Sequence, residues 1–164
     1  MSEERILTNR TAKVTITPSA GTAVEISVTV KGVEVPTSAA SLVFDATSQS
    51  YENAQEVTTV TATGAVASIV FDKGTNTNSP KYYTGGAAIR AYGGNTITIT
   101  AADNKKIVAV RITFGSSDGS NEITSSTGKY KNGVYNGDSN SVVFTIGGTS
   151  GNRRIAKIEV WVEA

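Results

Sequence analysis

Strict alternation of apolar and polar residues constrains this chain more than any other feature. In "AVEISVTVKG", Val24, Ile26, Val28 and Val30 fall on one side, and Glu25, Ser27, Thr29 and Lys31 on the other. The same period of two runs through "AKVTIT" (Val14, Ile16), "NTITITA" (Ile97, Ile99) and "SVVFTIG" (Val142, Phe144, Ile146). It continues in "KIVAVRITFG", which predicts Val108, Val110, Ile112 and Phe114 inward and Arg111 outward. In "IAKIEVWVE" it predicts Ala156, Ile158, Val160 and Val162 inward. Successive side chains of a strand point to opposite faces, so this period describes strands with one face buried. Less sharply patterned strands are predicted near 41–45, 56–62 and 66–71. No segment has a helical period, and "SAASLVF" and "SYENAQEV" have room for one helical turn each.

Between the strands lie Gly85-Gly86, Gly93-Gly94-Asn95, Asp118-Gly119, Asn132-Gly133, Asn136-Gly137 and Gly147-Gly148. Asn-Gly and Asp-Gly supply the positive φ of tight hairpin turns. Short strands at this spacing predict an all-β fold, an antiparallel β-sandwich of jelly-roll or immunoglobulin-like type. Leucine is confined to Leu7 and Leu42, while Val, Ile, Thr and Ser dominate, which favours sheet over helix. A seam near Thr63-Gly64 separates Thr/Val-rich strands from a region holding five of the 6 tyrosines. The predicted organisation is an N-terminal β segment or docking region, 1–63, and a C-terminal β-sandwich module, 64–164. The two share a core, since 63 residues alone make a marginal domain.

Charge excludes some partners. The net charge is +1, with no clustered basic stretch of the kind that attracts nucleic acid or an anionic membrane. No apolar run is long enough for a membrane-spanning helix. The chain has no cysteine and no histidine. Disulfides and thiolate chemistry are therefore out, as are the commonest general base and the commonest zinc ligand. The carboxylates are scattered over predicted outward faces, with no pair at glycosidase-like spacing. The expectation is a protein that is not an enzyme and uses no cofactor or metal. The polar start "MSEERILTNRTAKV" lacks the apolar core of a signal peptide, so either a leader has been removed or export by that route is absent. "NRT" at 9–11 fits a glycosylation sequon.

Several residues are candidates for contact. Parity places Arg153 outward with Trp161, and Arg154 inward with Ala156 and Ile158. Arg154 is then expected to plug the sandwich end, paired with Asp72 or Asp138. Arg153 is left for a ligand at the loop rim. Trp161 is predicted to point outward beside Lys157 and Glu159, and a tryptophan there needs a cover: the N-terminal segment, a partner subunit or a sugar ring. Tyr82, Tyr83, Tyr92, Tyr130 and Tyr135 are placed at strand–loop junctions, closing the sandwich ends. "KYKNGVYNGD" joins Tyr130 and Tyr135 to Asn136 and Asp138, the composition of a sugar platform. "SSDGSNE" holds the oxygen ligands Asp118, Asn121 and Glu122 but not the spacing of a calcium loop, so a plain turn is expected there.

A resemblance rests on "ASIVFDKGTNTNSPKYYTGGAAIRAYGGNTITIT", "KKIVAVRITFG" and "STGKYKNGVYNGDSNSVVFTIGGTSGNRRIAKIEVWV". Residues 66–163 resemble the β-sandwich accessory domain of secreted and surface proteins of gut Bacteroidetes and Firmicutes and of their phages. The resemblance implies a non-catalytic module for attachment or glycan binding. Residues 1–63 resemble short immunoglobulin-like or BACON-like strands. The module is expected to stand without a companion enzyme domain. The expected function is therefore a structural or adhesion subunit of a larger assembly: a phage virion component acting as capsid decoration, fibre or tail protein. Its partners are then copies of itself or other virion proteins, met through edge strands and an N-terminal arm, residues 1–17. The rival expectation is a carbohydrate-binding accessory module of a secreted or cell-surface bacterial protein.

Overall fold

The structure, a computed structural model, describes residues 10–30, 32–62 and 64–164 of the chain. The protein is all-β, and its antiparallel sheets pack as a sandwich. The chain divides into two compact units, 1–34 and 35–164. The boundary falls well before the expected seam at 63–64, because segments 42–45 and 59–61 both supply strands to the sandwich.

Unit one is a hairpin of β1 (Arg10–Ile16) and β2 (Val24–Val30). In unit two, one sheet has the order β10-β13-β8-β5-β4. Its strands are β4 (Thr59–Thr61), β5 (Val66–Asp72), β8 (Thr96–Ala101), β10 (Ile123–Ser125) and β13 (Ser141–Ile146). The facing sheet has the order β11-β12-β9-β14-β7-β6, with β3 (Leu42–Asp45) also paired to β14. Its other strands are β6 (Lys81–Tyr83), β7 (Ala88–Tyr92), β9 (Lys106–Phe114), β11 (Lys129–Lys131), β12 (Val134–Ser139) and β14 (Asn152–Glu163). The core lies between the sheets. Ile69, Phe71, Ile97, Ile99, Val142, Phe144 and Ile146 come from one side, and Ile89, Ile107, Val110, Ile112, Tyr135, Ile155, Ile158 and Val160 from the other. Outside the five-stranded sheet, Thr96, Thr98 and Thr100 keep that face hydroxylated, as the alternation predicts.

The two longest strands depart from strict alternation. On β14, Ile155 pairs with Phe114 and Lys157 with Thr113, so Ala156 is an extra residue. Further along, Trp161 pairs with Ala109 and Val162 with Ile107, so Val108 is extra on β9. Each bulge reverses the faces of the residues beyond it. Ile107 rather than Val108 enters the core, and Ile155 rather than Ala156.

Turn chemistry is met at Asn132-Gly133, which joins β11 to β12 with both residues at positive φ, 47° and 81°. That is the geometry for which Asn-Gly is suited. Asn136-Gly137, by contrast, lies inside β12. Segments 38–44 and 50–57, each with room for one helical turn, contain none. Short 3₁₀ turns occupy Ala46–Gln49 and Thr84–Gly86.

Asn95 is fully buried and ties three segments together. Its Oδ1 accepts from Tyr92 N at 2.7 Å, and its Nδ2 donates to Lys73 O at 2.9 Å and Asn78 O at 3.0 Å. Removing the amide takes a partner from three backbone groups, of which Lys73 O keeps Asn76 N at 2.9 Å. Asn95→Ala is expected to lower stability by about 3 kcal/mol in urea unfolding, with an unchanged m-value.

Candidate functional site

At the rim of the sandwich the bulge at Ala156 exchanges the roles of two arginines. Arg153 shares the inward parity of Ile155, and its guanidinium lies 3.7 Å from the centroid of Phe114. Arg153 Nε and Nη2 donate to Asp118 Oδ2 at 2.9 and 2.7 Å, and Nη1 donates to Asn121 O at 2.9 Å. Arg153, expected outward, is therefore the residue that plugs the sandwich end, and Asp118 is its partner. Arg154, expected inward, lies on the outer face. Of the two carboxylates expected to pair with it, Asp72 caps its own turn through Gly74 N at 2.7 Å and Asp138 is exposed.

The loop that looks like half a calcium site is a clamp. Asp118 Oδ1 also accepts from Arg154 N at 2.6 Å. Asn121 Nδ2 donates to Gly147 O and Ser150 O, both at 2.7 Å. Among the described residues no cluster of acidic side chains has the makings of a metal site.

The Tyr130–Asp138 stretch does not present a sugar platform. Tyr130 and Tyr135 face each other across the Asn132-Gly133 turn, and both rings pack on Phe144, at 5.4 and 5.6 Å. Both therefore point toward the core. Tyr135 is 0% exposed, with its hydroxyl 3.1 Å from Thr127 Oγ1. Asn136 and Asp138 belong to the same strand, half-buried and exposed respectively. The Tyr130 hydroxyl ends buried at the base of a small cavity of about 240 Å³, which Arg153, Phe114 and Asn132 also line. Burial pushes this hydroxyl up to about 12, against the opposing pull of Arg153. Tyr82 is buried against Tyr51 at 5.6 Å, while Tyr83 lies on the outer face.

Trp161 points away from the core, as parity predicts, yet it is only 5% exposed. Pro36, Ser38, Ala39 and Ser41 lie alongside it, and its Nε1 donates to Ser38 O at 2.9 Å. The cover is thus an early segment of the same chain. Beside it Arg111 donates from Nε and Nη2 to Glu159 at 2.5 and 2.6 Å, and this pairing holds the Glu159 carboxyl below its ordinary range. Arg153, Tyr130, Tyr135, Tyr82 and Trp161 are all engaged in building the sandwich, and they do not converge on one surface.

Among the described residues, five of the six exposed large apolar side chains belong to the hairpin. Register places Val14 opposite Ile26 and Ile16 opposite Val24, with Val28 on the same face. These five residues are 46–57% exposed. The opposite face carries Lys13 and Glu25, paired at 2.9 Å. A two-stranded hairpin by itself is marginal in water, and an apolar row of this kind calls for a cover. Residues 1–9 of the expected arm, including Asn9 of the sequon, lie outside the described residues. No family model, curated protein or solved structure matches the chain.

The buried Tyr130 hydroxyl has a measurable consequence. A folded-state value above the ordinary 10.0 means that the folded protein holds its proton more tightly than the unfolded chain does. This contribution is complete below the unfolded value and lost as pH climbs from about 10 to about 12. Stability should fall across that window, with a shallower fall in Tyr130→Phe. Urea unfolding at stepped pH reads both slopes.

Proposed function

We propose that the protein is a non-enzymatic structural or adhesion subunit of a larger assembly, and that it docks through the β1–β2 hairpin. One observation carries this reading: among the described residues, the hairpin brings together long strand edges and an exposed apolar face. All four strands at the ends of the two sandwich sheets, β4, β6, β10 and β11, are three residues long. β11 is also flanked by Lys129 and Lys131, a common defence of sheet edges. β6 is covered by the 54–55 segment, through Ala54 N to Tyr82 O and Tyr82 N to Gln55 O, both 2.8 Å. The sandwich edges thus offer little to an incoming strand, whereas β1 and β2 are seven residues each and, among the described residues, pair only with one another.

Docking supplies two terms. A partner strand satisfies the free N–H and C=O groups along one edge. Covering the five half-exposed Val and Ile side chains contributes about 5 kcal/mol of apolar burial, before the entropic cost of association. The less exposed carboxylates support a non-catalytic reading, since Asp118 and Glu159 are both committed to arginines. The phage virion is the setting we assign to the assembly, as decoration, fibre or tail protein, on the strength of the resemblance of residues 66–163. In this setting the partner of the hairpin is a second copy of the chain.

The test is sedimentation of the full chain over a wide concentration range. The wild type is expected to self-associate, and Ile26→Asp to weaken that association at least about tenfold, since a charge on the apolar face must be desolvated. The sandwich unfolding transition should not move. A wild type that remains monomeric throughout, with the variant indistinguishable from it, would overturn the reading.

A further inference from the structure

The outer face of the seven-stranded sheet carries a row of three cations that no pattern along the sequence announces. Lys81 on β6 is the register partner of Arg90 on β7, and Arg90 is the register partner of Arg154 on β14. Neighbouring strands lie about 4.8 Å apart, so three positive side chains stand within about 10 Å. Their strand neighbours Tyr82, Ile89, Ala91 and Ile155 are buried on the core side, which sets all three on the outer face. Like charges directly opposite one another destabilise a sheet. Elsewhere the protein neutralises its half-buried arginines, Arg111 with Glu159 and Arg153 with Asp118. Among the described residues no ion pair involves Lys81, Arg90 or Arg154. Glu56 sits across from Lys81 in an isolated bridge, exposed and at the far edge of the row.

Two nitrogens of the row lack an acceptor, although the Arg90 side chain also reaches Tyr92. Arg90 Nε and Arg154 Nε are buried without a hydrogen-bond partner. The Arg90 guanidinium lies 4.5 Å from the centre of the Tyr83 ring, and the Tyr83 hydroxyl is 3.3 Å from that of Tyr92. The Arg154 guanidinium passes directly under Gly86, where a Cβ would collide with Nη1. The 3₁₀ turn Thr84–Gly86 thus roofs one end of the row. Tyr92 has a second role. It forms a wall of a groove of about 350 Å³ between loops 75–78 and 149–151, lined by Thr75, Thr77, Asn78, Thr149 and Ser150. That lining holds hydroxyls and amides but no charged side chain.

We infer that the row and the groove together form a binding site for an acidic glycan, a sugar chain whose carboxylate or sulfate groups meet Arg90, Arg154 and Lys81 and whose hydroxyls meet the neutral groove. Guanidinium groups suit planar oxyanions, and such charge-assisted hydrogen bonds are the stronger kind. An acidic peptide fits less well. The groove offers no apolar subsite, and the edge of β6, where a peptide strand would add, is already taken by the 54–55 segment. The site lies wholly within unit two and does not depend on docking by the hairpin.

Calorimetry on the full chain at low salt tests this with four probes: an oligogalacturonate, a heparin oligosaccharide, neutral cellohexaose and poly-glutamate. At least one acidic sugar is expected to bind at least about tenfold more tightly than either control, with affinity falling as salt rises. The carboxylated and sulfated probes tell which oxyanion the row prefers. Arg90→Gln and Lys81→Gln should each weaken that binding at least about fivefold. Lys81 is on a short edge strand, so its variant is expected to fold like the wild type, checked by circular dichroism. Asn78→Ala, in the groove, should weaken the acidic sugar while leaving the weaker binding of inorganic sulfate unchanged. The inference is overturned if neither acidic sugar binds, if poly-glutamate binds as tightly as the sugars, or if Lys81→Gln binds like the wild type.

Discussion

The twelve-residue strand β14 crosses the seven-stranded sheet, and its single unpaired residue, Ala156, sets the direction of nearly everything around it. Before the bulge, Arg153 and Ile155 face the core. After it, Ile158, Val160 and Val162 do. The bulge is secured from outside the sheet by Asp118, which accepts from Arg154 N with one oxygen and from the Arg153 guanidinium with the other. A charge-assisted network of this kind is stronger than a neutral turn. It seals the sandwich end under Arg153 and leaves Arg154 on the outer face, in line with Arg90 and Lys81.

The second bulge, at Val108, does comparable work near the other end of β14. It places Val108 outside, next to Trp161, where segment 36–41 covers both. That segment also donates Ser41 N to Val160 O at 2.8 Å before running into β3. The outer face is therefore divided between a stretch sealed by the chain itself, around Trp161, and a stretch around the cation row that is covered only in part, by the Tyr83 ring on Arg90 and by Gly86 over Arg154. The two surfaces proposed to meet partners differ in kind. The hairpin offers apolar area and free backbone, whereas the row offers unneutralised charge beside a hydroxyl-lined groove.

Much of the fold was legible in the chain. The rows Ile97/Ile99 and Val142/Phe144/Ile146 face the core as their alternation requires, because β8 and β13 pair with each other without a bulge. Trp161 points outward with Glu159, as parity predicts, since no irregularity separates the two. The departures share one cause. At Arg153, Arg154, Val108 and Ala156 parity fails because a bulge intervenes, and an extra residue cannot be seen in a pattern whose hydrophobic period merely hesitates. The orientation of the tyrosines is open in the sequence for another reason. Tyr130 and Tyr135 carry a polar tip that suits solvent and a ring that suits the core, and only Phe144 beneath them decides which prevails.

By itself the sequence determined that this is a β protein with one apolar face per strand, because a period of two and an excess of β-branched residues are local properties of consecutive positions. It also determined the Asn132-Gly133 turn, whose backbone demand is met by those two residues alone. The tertiary structure decided the rest: which arginine is buried, what covers Trp161, and that Lys81, Arg90 and Arg154 stand in one row. For the row this depends on register between strands as far apart in the chain as Arg90 and Arg154, and registry at that distance is set by bulges and by packing of whole sheets.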